Sequence, residues 1–142
     1  MLSVPEYGWT DFSIGDAKYQ LSYLTDIPIE WLETAVYSLK KNYYCPFTVY
    51  GDCETSDIHC TVTEMFCHVI HDGTIPPKTY FVNVSMLDFC KALYVDISRD
   101  IDAWSDWLRY DDENFREKQK FKIQSLLNEL DALIKERSKR GD

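Results

Sequence analysis

Residues 57–70 read DIHCTVTEMFCHVI, and how this run divides decides how many strands the chain gives to a sheet. Cys60, Val62, Phe66 and Ile70 share one parity, while Thr61, Thr63, Met65 and Val69 share the other. With its β-branched content, the run predicts one long strand. Upstream, PFTVYGDC (46–53) predicts a strand that reaches it through an acidic loop carrying Asp52, Glu54 and Asp57. Downstream, DGTIPP (72–77) breaks the chain before KTYFVNV (78–84), another strand. At the start, WTDFSI (9–14) and KYQLSYL (18–24) alternate around Gly15, Asp16 and Ala17, which is hairpin chemistry.

Helices fill the rest. In TDIPIEWLETAVYSLKKN (25–42), Asp26 can cap and Pro28 suits the first turn. Glu30 and Glu33 lie at the positive end of the dipole, Lys40 and Lys41 at the negative end. Ile29, Leu32, Val36 and Leu39 form its apolar stripe. Ser85 and Asp88 open a long helix in which Met86, Cys90, Leu93, Ile97, Ile101, Trp104 and Leu108 recur at four- and three-residue steps. At about 100° per residue they span about 80° of arc, a narrow packing stripe. After YDDEN (110–114), a last helix runs from about Asn114 to Lys139, with Gly141 just past it. Phe115, Ile123, Leu126, Leu127, Leu130 and Ile134 share one of its faces, so 115–139 reads as structural. The order is β-β-α-β-β-β-α-α: a single α+β domain over 1–142, with helices packed on an antiparallel sheet of about five strands.

Composition narrows the function. The net charge is −9, but residues 115–142 carry a net +3 and residues 1–114 a net −12. Such a chain repels nucleic acid and anionic membrane, and favours a basic partner or simple solubility. Five cysteines cannot all pair within the chain, and their spacings fit no disulfide framework. With no visible secretory leader and no long apolar run, the reading is a reduced, cytoplasmic protein whose cysteines act as small apolar residues.

No motif names a reaction. Cys60, Cys67, His68 and His71 invite zinc, but structural zinc needs paired knuckles and only one short cluster occurs. No glycine-framed serine, reactive cysteine context or phosphate-cradling loop is present. The expectation is a binding protein, not an enzyme, without metal or cofactor. RDIDAWSDWLRYDDEN (99–114) stands out, with carboxylates set among Trp104, Trp107 and Tyr110. On a continuous helix Asp102 and Asp106 point to solvent and form a like-charge i,i+4 pair; Asp96 and Asp100 form a second such pair, and Trp107 sits at the edge of the buried stripe. Asp111, Asp112 and Glu113 extend the acidic run, although Asp111 or Asp112 can also cap the next helix. These residues, from Asp100 to Glu113, form one candidate partner-binding surface, and the Asp52, Glu54, Asp57 loop forms a second. Either one can equally be a solvated face that keeps the protein soluble.

FSIGDAKYQLSYLTDIPIEWLETAVYSL (12–39), FTVYGDCETSDIHCTVT (47–63) and LDFCKALYVDISRDIDAWSDWL (87–108) together resemble small cytosolic immunity proteins of bacterial polymorphic-toxin and contact-dependent growth inhibition systems. The resemblance implies a non-catalytic antidote that binds a cognate toxin domain, often a basic nuclease, and masks its working surface. It carries over no contact residue. An acidic inhibitor that mimics nucleic acid and a small regulatory binding module are the competing readings.

Overall fold

The computed structural model describes residues 1–41 and 45–139. Its hairpin pairs β1 (Trp9–Ile14) with β2 (Ala17–Ser22) across a Gly15–Asp16 turn. Gly15 adopts φ +55°, a left-handed conformation that tight hairpin turns require. Helix α1 (Ile27–Lys40) follows, then β3 (Phe47–Cys53), β4 (Ser56–Val62), β5 (Cys67–His71) and β6 (Lys78–Val82). These four form one antiparallel meander in chain order. Helices α2 (Met86–Ser98), α3 (Ile101–Ser105) and α4 (Glu113–Lys139) complete the chain. The class is α+β with antiparallel pairing, as expected. The count is not: six strands lie in two sheets, where five in one sheet were predicted.

The difference lies in residues 57–70. They form a hairpin, because Thr63 and Phe66 close a tight turn: the Thr63 amide donates to the Phe66 carbonyl at 2.9 Å, and the Phe66 amide to Thr63 Oγ1 at 3.1 Å. Before the turn the even residues Ile58, Cys60 and Val62 are buried; after it the odd residues Cys67 and Val69 are. A single strand cannot change parity, since successive side chains alternate sides.

The first hairpin lies against the inner face of the four-stranded sheet. Leu21 of β2 fills the space that a Cβ at Gly51 would occupy, 2.8 Å away, so the close approach of β2 to β3 needs glycine there. Farther along, Tyr19 packs against His71 with the rings tilted by 40°, and its hydroxyl donates to the Tyr80 hydroxyl. The aromatic core runs from Phe12 on β1 to Trp31 on α1, 5.8 Å between centroids, then to Phe89 on α2 and Phe47 on β3. The Trp31 indole N–H donates to the Tyr50 carbonyl at 2.9 Å, which ties α1 to β3.

In α1 the stripe Ile29, Leu32, Val36 and Leu39 is buried, and Pro28 sits in the first turn. Asp26 stands at the N-cap but makes no capping hydrogen bond, and its Oδ1 is buried without a partner. Burial pushes its carboxyl above the usual range, only partly offset by the Ile29 amide, Gln119 and Lys122. Helix α4 packs along α1, α2 and α3, burying Ile123, Leu127, Leu130 and Ile134. Its last buried residue, Arg137, donates to the carbonyls of Leu39 and Lys41, which the end of α1 leaves without helical partners. Gly141 falls outside the described residues.

The long helix predicted after Ser85 is broken. Ser85 caps α2 as expected, accepting from the Asp88 amide at 3.1 Å. At Arg99–Asp100 the chain turns, and Asp100 caps the separate α3 by accepting from the Ala103 amide at 3.0 Å. Asp96 is buried, accepting from the Leu2 amide at 2.8 Å and the Arg99 guanidinium at 3.2 Å. Asp96 and Asp100 thus do not sit as an i,i+4 pair on one helix, as the sequence suggested.

Two stability outcomes follow from this packing. Leu127→Ala should cost about 2–5 kcal/mol in denaturant unfolding, the usual range for a fully buried leucine. Asp26→Asn should raise the melting temperature at neutral pH, because the folded state holds the Asp26 proton more tightly than the unfolded chain and ionisation therefore costs stability. That advantage should shrink as pH falls through the folded pKa and vanish below the unfolded value. Loss of stability at pH 7 on this substitution would contradict the assigned environment.

Candidate functional site

In the acidic aromatic segment Trp104 and Trp107 are buried, while Asp102, Glu113 and Tyr110 stay exposed. Trp107, expected to be a partner anchor, is 1% exposed. Its indole N–H donates to the Thr25 carbonyl at 2.7 Å and its ring packs 5.3 Å from Trp104. The break before Asp100 is the cause: it shifts the helical phase, and Trp107 follows the end of α3 in a turn that points it inward.

Its carboxylates are engaged as well. Asp102 pairs with Lys120 at 2.9 Å, and Asp106 lies 3.8 Å from Arg116. Glu113 pairs with Arg116 at 2.6 Å, and Asp112 accepts from the Asn114 and Phe115 amides at the start of α4. Asp111 remains exposed. The expected repulsion between Asp102 and Asp106 is therefore met by cations of α4. Lys122 to Glu33 and Lys40 to Glu129 add two further ion pairs between α1 and α4. Each exposed pair contributes little stability, about 0–1 kcal/mol. Together they place a cation beside Glu33, Asp102, Asp106, Glu113 and Glu129.

The second candidate surface behaves differently. From residue 42 to residue 77 the sequence holds five carboxylates (Asp52, Glu54, Asp57, Glu64, Asp72) and no lysine or arginine. Strand pairing brings Asp52 opposite Asp57 at one end of the sheet. Asp72 joins them from the β5–β6 turn, where its Oδ1 accepts the Asp57 amide at 2.8 Å. Asp52 accepts the Ser22 hydroxyl at 2.6 Å, and Asp72 Oδ2 lies 3.8 Å from His59. Glu54 is exposed at φ +63°, a conformation that glycine or asparagine adopts more easily. Three carboxylates of the predicted loop are thus gathered, and Asp72 is a fourth that sequence reading missed. The signal was available in the 36-residue absence of cations.

Beside this acidic end lies the outer face of the sheet, opposite the helices. Register places Thr48, Thr61, His68 and Phe81 in one row and Tyr50, His59, Ile70 and Thr79 in the next. His68 stacks on Phe81 at 4.2 Å with an interplanar angle of 5°, and Tyr50 meets His59 edge-on at 5.1 Å. Phe81 is 72% exposed, Tyr50 54%, and Met65 at the β4–β5 turn 76%.

The inner face holds the other chemistry-bearing groups. Ser56 Oγ lies 2.9 Å from His71 Nε2, a distance that suits a nucleophile and its base. His71 Nδ1, however, is buried without a hydrogen-bond partner, so no carboxylate orients the ring as catalysis of this kind requires. Cys60, Cys67 and Cys90 are buried in the core. The neighbouring Cys67 thiol, together with burial, pushes Cys60 far up, and burial pushes Cys90 up to about 12. No group of three or more potential metal ligands occurs among the described residues, and no described helix is long and apolar enough to cross a membrane.

No family model, curated protein or solved structure matches this chain.

The thiol environments predict native-state reactivity. Cys60 and Cys90 should resist iodoacetamide at neutral pH until the protein unfolds, because the thiolate is the reactive form and their burial disfavours it. Mass spectrometry before and after denaturation reads this directly, and rapid native alkylation of Cys60 or Cys90 would contradict the burial.

Proposed function

We infer that this protein is a non-catalytic, acidic antidote that binds one basic protein domain, of the kind that immunity proteins of bacterial toxin systems neutralise. One observation carries the reading. The carboxylates at Asp52, Glu54, Asp57 and Asp72 gather at one end of the sheet, in a stretch of chain without a lysine or arginine, whereas Glu33, Asp102 and Asp106 on the helical side each have a cation of α4 beside them. A nuclease or other polyanion-handling toxin presents a basic surface, and an opposed acidic end speeds encounter with it in a salt-dependent way. The Ser56–His71 pair lacks an orienting acid, which supports binding over catalysis. Function of this kind fits a protein that remains in the cytoplasm with its target.

Co-expression with the C-terminal domain encoded immediately upstream is the test, because antidotes are read beside their toxins. Wild type should rescue growth from that domain and bind it with an association rate that falls steeply with salt. The double reversal Glu54→Lys with Asp57→Lys should slow association by about tenfold or more at low salt. Asp102→Lys with Asp106→Lys should change it little, since those charges face α4. Equal binding by the first variant, or loss confined to the second, would move the interface back to the helices. Inhibition of many unrelated DNA-binding proteins would instead favour mimicry of nucleic acid.

A further inference from the structure

We propose that the open outer face of the four-stranded sheet is the apolar centre of the interface, and that it docks a cationic protein surface through Tyr50, His59, His68 and Phe81. This deepens the antidote reading and rests on it for the partner's identity, but not for the partner's charge. The face carries what interface centres use: aromatic rings held in place by their neighbours, with threonine hydroxyls between them. Phe81 is fixed by stacking on His68, and Tyr50 by contact with His59, so little side-chain freedom remains to be lost on binding.

Charge selects the occupant. One end of the face is bounded by Asp52, Glu54, Asp57 and Asp72, and Glu64 lies in the β4–β5 turn at the other. The only nearby cation on these strands is Lys78, at the start of the edge strand. Two copies stacked on this face would set carboxylates against carboxylates, and nucleic acid or anionic lipid would be repelled in the same way. A surface rich in arginine or lysine meets the rim favourably, and its arginines can stack on Tyr50 and Phe81.

Binding of the full chain to the purified C-terminal domain of the upstream-encoded protein, followed by titration calorimetry, tests this alongside a ¹⁵N NMR titration with a deca-arginine peptide. Tyr50→Ala and Phe81→Ala replace exposed rings and should keep the wild-type melting temperature. Each should weaken binding to the domain by about tenfold or more, mainly through faster dissociation, whereas Phe121→Ala, an exposed ring on α4, should not. The peptide should shift amides of β3 to β6 in wild type, and the Phe81→Ala change should reduce those shifts. Wild-type affinity in both sheet variants would overturn the proposal and leave the antidote reading standing. A dimer in sedimentation equilibrium that Phe81→Ala dissociates would overturn it in favour of self-pairing. Should the domain fail to bind wild type, the antidote reading fails, and the peptide then decides the face: shifts on β3 to β6 support it, and shifts on α3 and α4 overturn it.

Discussion

The indole of Trp31 sets the architecture. Its ring lies between Phe12 of β1 and Phe89 of α2, and its N–H is satisfied by the Tyr50 carbonyl of β3. One side chain thus joins the hairpin, two helices and the sheet, and it commits all of them to the same side. Once the helices and the first hairpin lie on the inner face, no described element remains to cover the outer one. The division into a filled face and an open face is a packing consequence of where the apolar stripes point.

Helix α4 sets the electrostatic counterpart. Burial of Ile123, Leu127, Leu130 and Ile134 lays the net-positive end of the chain along α1, α2 and α3. Lys120, Arg116 and Lys122 then reach Asp102, Asp106 and Glu33. The pairs are individually weak, yet they decide which carboxylates still seek a partner. The longest stretch with carboxylates but no lysine or arginine is left at the turns of the sheet, next to its exposed rings. Charge and apolar surface thus coincide on one side of the molecule, which is the arrangement that a steered encounter followed by anchoring requires.

Much of the fold was legible because local chemistry and packing agree. The Gly15–Asp16 turn, the α1 stripe and the Ser85 cap each read directly from residue type and spacing. The meander was misread because Cys60, Val62, Phe66 and Ile70 keep even parity on paper, while the buried positions switch from Val62 to Cys67. Thr63 marks the switch only through hydrogen bonds that composition does not announce. The helix break was hidden for a similar reason, since neither proline nor glycine accompanies it and Asp100 does the capping. From that one break came the wrong orientation of Trp107. The pairing of Asp102 and Asp106 with α4 was beyond sequence reading altogether, because those partners are 18 and 10 positions away and meet only through tertiary packing.

Oxidative footprinting of the complex with the upstream-encoded domain tests the central claim most directly, since exposed rings and methionines on both sides of the molecule report at once. Binding through the sheet should protect Tyr50, Met65 and Phe81 from hydroxyl radicals and leave Tyr37, Tyr110 and Phe121, all exposed on the helical side, labelled as in the free protein. Protection of Tyr110 and Phe121 with Tyr50 and Phe81 unchanged would contradict the account.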